Sequence, residues 1–440
     1  MKYFGTDGIR GKVGELLTAE LAYKVGRFLG SYNKTTPTKI IISRDTRISG
    51  EMLFISLSKG IKDSGGIAYD EGISSTPSIS YLVRKRKYDF GVMITASHNS
   101  YLENGLKIFS SSGEKIPSEL EAKIEEYLDL EEANLEKKEG MVIFDQNAKN
   151  EYTSFLFSSI SSSLEGIKVA VDSANGSASK IVPALFSKLG IEATYIGDIP
   201  DGKNINLDYG STHIDNLVNI VKEGEFDLGL AFDGDGDRLI ALDSKGNILD
   251  GDHLLYLFAL SLKKKGELKH NKIVVTPFSN LGLINALKEE EIECVTSEVG
   301  EKAVIEKLKE NDLSLGGEKA GHIIFLDSLP CGDGILAALK LCEIYLHEKD
   351  LFQKLSWLDL YHQKIMNFSF ENNKKLQEIT DSDRFTSFFE KMSASLVSEG
   401  RVYLRTSGTE PTLRVMVETS KEETLKNLCE NIEKFIQEIN

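Results

Sequence analysis

A multidomain α/β protein is what this sequence predicts: three similar units with mixed, largely parallel sheets, then a smaller α+β unit, around a central cleft. Three observations carry the prediction. The chain has 440 residues, more than a single core holds, since domains typically run to about 100–200 residues. One strand–helix–strand plan recurs three times along it. After position 400 the character changes, to two short strands and one long amphipathic helix.

Each of the three units opens on a lysine and a nearly unbroken apolar run: Lys39-Ile40-Ile41-Ile42, Lys168-Val169-Ala170-Val171 and Lys272-Ile273-Val274-Val275. Runs this short and continuous read as strands covered on both faces. A polar loop follows, then a helical stretch, then a second strand from about Ile67, Ile191 and Ile292. Gly65-Gly66 and Gly190 close the first two helices. Strand, helix and strand in this order imply parallel pairing through right-handed crossovers. Downstream, each unit reaches another short strand holding a glycine: Gly91, Gly229 and Gly316. Six residues after each glycine stands a polar or charged residue in a loop, Ser97, Asp235 or His322. Open α/β sheets bind ligands beyond the carboxyl ends of their strands, so three such loops are expected to meet in one cleft.

The joints follow from composition. An acidic stretch at 131–150 separates the first two units. Before it, Ser118 and Glu121 form a capping-box pattern opening a helix with Leu120, Ile124 and Leu128 on one face. The expected domains are 1–150, 151–250, 251–360 and 361–440. In the last, strands around 402–404 and 413–417 flank a glycine-containing turn, and a helix carries Leu425, Leu428, Ile432, Phe435 and Ile439 on one face.

The net charge of −16, from 52 basic and 68 acidic residues, argues against nucleic-acid or anionic-membrane partners. An anionic substrate would then need basic residues set locally into clefts. The longest apolar run, 254–262, is about half of the ~18 residues a membrane helix needs. Met1-Lys2-Tyr3-Phe4-Gly5 has no apolar signal core behind it. Cys294, Cys331, Cys342 and Cys429 form no CxxC pair, the usage of free thiols in a reducing compartment. A cytoplasmic protein is expected.

The sharpest chemical signal is Asp233-Gly234-Asp235-Gly236-Asp237-Arg238. Glycines between the carboxylates let the backbone fold tightly, so all three can converge on one cation. An all-oxygen set favours Mg²⁺ or Ca²⁺ over zinc. An EF-hand is excluded, because its sixth and twelfth positions need Gly and Glu, and here hold Arg238 and Ser244. A solvated turn is the plain alternative, but three such carboxylates at the end of a buried run would repel one another without a cation. Ser97, in Thr95-Ala96-Ser97-His98-Asn99, lacks the G-x-S-x-G elbow. Alone it would read as a turn cap; beside a metal loop it reads as a nucleophile or phosphoserine. Arg405-Thr406-Ser407-Gly408-Thr409-Glu410-Pro411, with Arg414 beyond, offers hydroxyls, backbone N–H groups and a guanidinium fork for a phosphate, or simply a hairpin turn.

Taken in order, Tyr3-Phe4-Gly5-Thr6-Asp7-Gly8-Ile9-Arg10-Gly11, the loop from Asp233 to Arg238, Val299-Gly300, Gly317-Glu318 and the run from Arg405 to Pro411 resemble the α-D-phosphohexomutase superfamily. The resemblance spans almost the whole chain. It implies a phosphorylated Ser97 whose phosphate helps Asp233, Asp235 and Asp237 hold one Mg²⁺ per site. It also implies an isomerase that converts glucosamine 6-phosphate to glucosamine 1-phosphate for UDP-N-acetylglucosamine synthesis. Glucosamine or glucose bisphosphate would be the intermediate or activator. By the same resemblance, Ser97, His98, Arg10, Lys107 and His322 are catalytic candidates. Glu318 would hold sugar hydroxyls, Arg405, Ser407, Gly408, Thr409 and Arg414 would clamp the non-reacting phosphate, and a homodimer is possible. The sequence departs from the family pattern at Ala320, where serine is usual, and at Ser100 and Thr406, where proline is usual. Ser100 is expected to loosen the serine loop, while Ala320 keeps glucose and mannose phosphates open as alternative substrates. A metal-dependent sugar phosphatase and a catalytically silent phosphosugar sensor are the competing classes.

Overall fold

Each lysine-led run forms a buried strand, and its lysine lies opposite the start of the next, parallel strand: Lys39 opposite Ile67, Lys168 opposite Glu192, Lys272 opposite Glu293. On the other side of each run lies the glycine strand, also parallel. Ile41 faces Gly91, Ala170 faces Gly229 and Val274 faces Gly316, the third position of the run each time. A Cβ at these glycines would meet Ile79, Val221 and Val304 at 2.5, 3.0 and 3.0 Å. Those side chains belong to the covering helices Thr76–Lys85, Asp215–Glu223 and Glu301–Glu310. The glycine therefore recurs because a helix packs directly onto the strand there, where any side chain would overpack the core.

The computed structural model describes residues 2–130, 137–396, 399–406 and 411–439. The described residues form four sheets. The first has seven strands and runs from Phe4–Gly5 at one edge to Met141–Phe144 at the other; the second has five, the third four, and the last three. Each of the first three is mixed, because an antiparallel strand follows the glycine strand: Glu103–Ser110, Leu239–Asp243 and Ile323–Phe325. The C-terminal sheet is antiparallel, with Thr412–Thr419 between His362–Ser369 and Gly400–Thr406. Helix Glu422–Ile439 covers it through Cys429, Ile432, Phe435 and Ile436.

The second and third units share one continuous core. Helices Gly251–Lys265 and Gly334–His347 are buried between their sheets, joining Val169, Phe232 and Leu239 to Ile273, Leu315 and Ile323. The loops of these two units are thus carried on one block, while the first unit has its own main core and meets Leu329 and Cys331 of the third unit through a smaller cluster around Ile41, Ile79 and Phe109.

Two local expectations are corrected. The acidic stretch is more than a joint, since Met141–Phe144 is an edge strand paired with Ile67–Ile73, and helix Ala148–Ser158 runs through position 150. The capping box does not form. Helix Ser118–Leu128 begins directly after Pro117, whose extended φ of −68° and ψ of 154° hold the N-cap position, and no side-chain cap is made. Ser118 is one residue too far in, and its hydroxyl accepts instead from Lys302 Nζ at 3.2 Å. Leu120, Ile124 and Leu128 are buried as expected. Among the described residues, no helix is long and apolar enough to cross a membrane.

Candidate active site

The residues at the shared offset meet around one carboxylate cluster. Ser97 lies just beyond Phe90–Ile94, the Asp triplet just beyond Leu228–Phe232, and His322 in the turn between Leu315–Gly317 and Ile323–Phe325. Ser97 Oγ donates to Asp233 Oδ2 at 2.7 Å, and His322 Nε2 is 3.1 Å from Asp237 Oδ1.

Ser97 is fully buried and adopts φ +51°, a left-handed conformation that costs a non-glycine residue energy and persists only where neighbours enforce it. They do so here. Thr95 Oγ1 accepts the Ser97 N–H at 2.9 Å. Arg47 Nη2 donates to the carbonyls of Ser97 and Asn99 at 2.8 and 2.9 Å, and Asn206 Nδ2 to the same two at 2.8 and 3.0 Å. Arg47 Nη1 also holds the Ser100 carbonyl. Arg47 thus ties down the backbone at Ser100, where proline was the expected residue.

Asp233, Asp235 and Asp237 each place an oxygen within 4.8 Å of the others, and all three are buried. Gly234 is required there, since a Cβ would come within 2.6 Å of the Ser97 carbonyl oxygen. The repulsion expected among the three carboxylates is partly offset by a buried cation. Lys107 Nζ, 2% exposed, lies 2.7 Å from Asp235 Oδ2 and 2.9 Å from Asp237 Oδ2, and Thr76 Oγ1 donates to Asp235 as well. Burial and the neighbouring Asp237 and Asp235 push the Asp233 carboxyl well above its usual range. Burial opposes charge on Asp237, yet Lys107 and His322 hold it well below that range. Asp235 Oδ1 is buried without a hydrogen-bond partner among the described residues. An unpaired carboxylate oxygen in an all-oxygen cluster fits a hard divalent cation. Because Asp235 is tied to Lys107, Asp235→Asn is expected to weaken Mg²⁺ binding at least tenfold and also to loosen the buried lysine. Titration calorimetry with Mg²⁺ checks this; unchanged affinity would remove the triplet from the metal site.

Fixed cations surround the cluster. Asp7 gathers three of them: Arg10 Nη2 at 2.8 Å, Lys107 at 3.1 Å, and Lys115. Lys115 continues to Glu301 at 2.8 Å. Burial opposes the Asp7 charge, but Lys107, Lys115 and Arg10 hold its carboxyl well below the usual range. Arg10 Nε is buried with no hydrogen-bond partner among the described residues, an N–H left over for an anion. The two histidines differ. His98 Nδ1 lies 3.4 Å from Ser97 Oγ, and burial with the Arg238 and Arg10 charges lowers its pKa to about 4. For His322, burial and Arg238 oppose the proton, but Asp237 and Glu318 outweigh them and raise its pKa to about 10. At neutral pH the first imidazole is neutral and the second is charged. Glu318 Oε2 is 3.0 Å from His322 Nδ1, and its Oε1 accepts the Gly300 N–H at 3.1 Å, which joins the Val299-Gly300 motif to the loop of Glu318 and His322.

Arg405 and Arg414 lie directly opposite each other on neighbouring strands, and Arg414 Nε donates to Asn367 Oδ1 at 2.9 Å. Like charges directly opposite destabilise a sheet, so the pair suits an anion that neutralises both. Ser407, Gly408 and Thr409 lie outside the described residues. Sequence reasoning missed Arg47, Thr76, Lys115, Asn206 and Glu301. Of these, Arg47 carried a signal, as a basic residue in the loop just beyond strand Lys39–Arg44; Asp7 and Arg238 were visible only as parts of motifs.

A buried serine set against a carboxylate cluster and ringed by fixed cations is an arrangement suited to phosphoryl transfer. The comparisons agree. Phosphoglucomutase/phosphomannomutase α/β/α domains I, II and III match residues 1–135, 146–246 and 250–361, and the C-terminal domain of that family matches 365–435. A phosphoglucosamine mutase of Clostridioides difficile is 42% identical over 99% of both chains. The fold is similar to that of a phosphoglucomutase/phosphomannomutase family protein from Burkholderia thailandensis, at TM-score 0.83 and 23% identity over 99% of this chain and 97% of that one. It is also similar to that of N-acetylphosphoglucosamine mutase from Aspergillus fumigatus, solved with GlcNAc-6P and magnesium, at TM-score 0.71 and 15% identity over 99% and 96%. The chain belongs to the phosphoglucomutase/phosphomannomutase family, in the α-D-phosphohexomutase superfamily.

Proposed function

We propose that the chain interconverts glucosamine 6-phosphate and glucosamine 1-phosphate, with the phosphoryl group carried on Ser97 Oγ. The observation that carries the proposal is the Ser97 hydroxyl bonded to Asp233 and flanked by His98, in a chain 42% identical over its length to a phosphoglucosamine mutase. Asp233, Asp235, Asp237 and the Ser97 phosphate would hold Mg²⁺. When bound, the ion neutralises phosphoryl charge and favours serine as leaving group.

The residues supply the rest. In the first half-reaction, the bond from phosphorus to Ser97 Oγ breaks and a bond to the sugar O1 forms. The O1 proton leaves to a base, and Ser97 regains a hydroxyl. Neutral His98 beside Oγ is suited to carry that proton. Arg10, Lys107 and charged His322 spread the negative charge of the transferring group, which is most of what phosphoryl transfer requires. After the bisphosphate turns over, the 6-phosphate returns its phosphoryl group to Ser97 by the same steps reversed. Arg405 and Arg414, with Ser407, Gly408 and Thr409, clamp whichever phosphate is not reacting, and Glu318 binds sugar hydroxyls.

The testing experiment is a panel of glucosamine, glucose and mannose 6-phosphates assayed for conversion to the 1-phosphates. Glucosamine is expected to be preferred; preference for a hexose would defeat the substrate assignment. Ala320 is exposed in a turn closed by the Gly321 N–H to the Glu318 carbonyl at 2.9 Å. Ala320→Ser adds at most one hydrogen bond, worth about 0.5–1.5 kcal/mol. It is expected to keep the glucosamine preference and change kcat/KM by no more than about tenfold. A reversed preference in that panel would make position 320 the specificity determinant.

A further inference from the structure

Lys319 stands in the sugar loop between Glu318 and Ala320, yet its ammonium bonds to the last unit rather than to the carboxylate cluster. The loop backbone is fixed first. The Gly251 N–H donates to the Lys319 carbonyl at 2.9 Å, and a Cβ on Gly251 would come within 2.0 Å of the Glu318 carbonyl oxygen. From this base, Lys319 Nζ donates to Gln363 Oε1 at 2.8 Å. Asp250, at 3.9 Å, is its nearest ion-pair partner.

Gln363 lies at the base of the C-terminal sheet, in strand His362–Ser369 and in register with Glu418. Its Nε2 donates to the Phe278 carbonyl at 3.0 Å and to Glu418 Oε1 at 3.2 Å. Glu418 is fully buried. It accepts the Leu281 N–H at 3.1 Å and Arg401 Nε at 2.7 Å, and Arg401 reaches the Ser279 carbonyl. Asn280 closes the joint by bonding both backbone groups of Tyr361, at 2.8 and 2.9 Å. The bonds of Gln363 to Phe278, Glu418 to Leu281, Arg401 to Ser279 and Asn280 to Tyr361 cross from the third unit to the last. Lys319 is the member of the sugar loop that joins them.

The C-terminal sheet is a lever held at this base. The two clamp arginines, Arg405 and Arg414, face each other toward the opposite end of its strands. At ~3.4 Å per residue, the four steps from Gln363 to Asn367, which lies opposite Arg414, span roughly 14 Å. A tilt of about 5° at the base would then move the two arginines by roughly 1 Å, enough to weaken their hold on a phosphate.

We propose that Lys319 is a positioning residue that ties the sugar loop to the C-terminal sheet through Gln363 and sets the angle at which Arg405 and Arg414 meet the sugar phosphate. The role in turnover rests on the mutase reading; the tie itself does not. A lysine contacting substrate phosphate directly is the alternative, and the two differ in what Gln363 does.

The test compares Lys319→Met, Gln363→Leu and the double variant with the parent. Each single change is expected to raise KM for glucosamine 6-phosphate by about three- to tenfold with a smaller change in kcat, and the double change to add nothing further. Small-angle scattering of the substrate-free proteins is expected to show the same broadened shape in all three variants, at unchanged unfolding temperature. A loss in Lys319→Met with a parental Gln363→Leu would overturn the proposal in favour of direct phosphate contact. Parental kinetics and parental scattering in both would also overturn it. An inactive parent with altered scattering in the variants would defeat the mutase reading and leave the tie standing.

Discussion

Ser97→Ala is expected to lower mutase turnover by a factor of about 10⁴ or more, because removing a nucleophile removes the covalent route altogether. The substitution leaves the loop in place. Its backbone is held by Thr95, Arg47 and Asn206 through the Ser97 N–H and the Ser97 and Asn99 carbonyls, none of which involves the hydroxyl. What is lost is the 2.7 Å bond to Asp233. Leaving that buried acceptor short of a donor costs about 1–3 kcal/mol, an amount that added Mg²⁺ should offset by taking over the carboxylate. Steady-state assay and urea unfolding with and without Mg²⁺ check both halves. Residual turnover above a tenth of the parent would mean that another group carries the phosphoryl.

Lys107→Met is expected to have the largest effect on stability. Lys107 is 2% exposed and bonded to Asp235 and Asp237, with Asp7 at 3.1 Å. Breaking a buried pair by removing one partner typically costs about 3–5 kcal/mol, since the remaining charges are left uncompensated. Mg²⁺ should restore more stability to this variant than to the parent. Acid sensitivity should change in a defined direction. Asp237 is held well below its ordinary value of 3.8, burial opposing and Lys107 the leading favourable charge. A carboxyl lowered in this way contributes stability above that ordinary value and loses it as pH falls further. Without Lys107 that contribution shrinks, so the variant should lose less stability on acidification than the parent. On the proposed mechanism, activity should fall by at least a hundredfold, because a cation that would face the transferring phosphate is gone. Parental stability in metal-free buffer would show that the carboxylates do not depend on this lysine.

The convergence of Ser97, Asp235 and His322 was legible because it rests on a local repeat. A lysine-led strand, a glycine strand and a loop at a fixed offset are each written in a few consecutive residues, and parallel pairing carries the offset into space. The support of the site was not legible. Asn206 reaches the Ser97 carbonyl across 109 residues, and Lys107 reaches Asp237 across 130. Such pairings have no period and depend on how whole units dock. The role of Lys107 came only from the family resemblance, and its bond to two of the metal-loop carboxylates came from the structure alone. The failed capping box shows the opposite error. A correct local pattern at Ser118 and Glu121 was shifted by one position because Pro117 takes the extended conformation at the helix start. The strand Met141–Phe144 was read as connector because it sits at a sheet edge with one neighbour and largely exposed side chains.

The central claim is that Ser97 passes its phosphoryl group to a sugar rather than to water. Protein isolated with a labelled phosphate on Ser97, confirmed by peptide mass spectrometry, would be mixed with glucosamine 6-phosphate in a single turnover. The account predicts that the label leaves Ser97 and appears in the bisphosphate and then in the sugar monophosphates, with inorganic phosphate a trace. Label released chiefly as inorganic phosphate, or retained on the protein while sugar is isomerised, would contradict it.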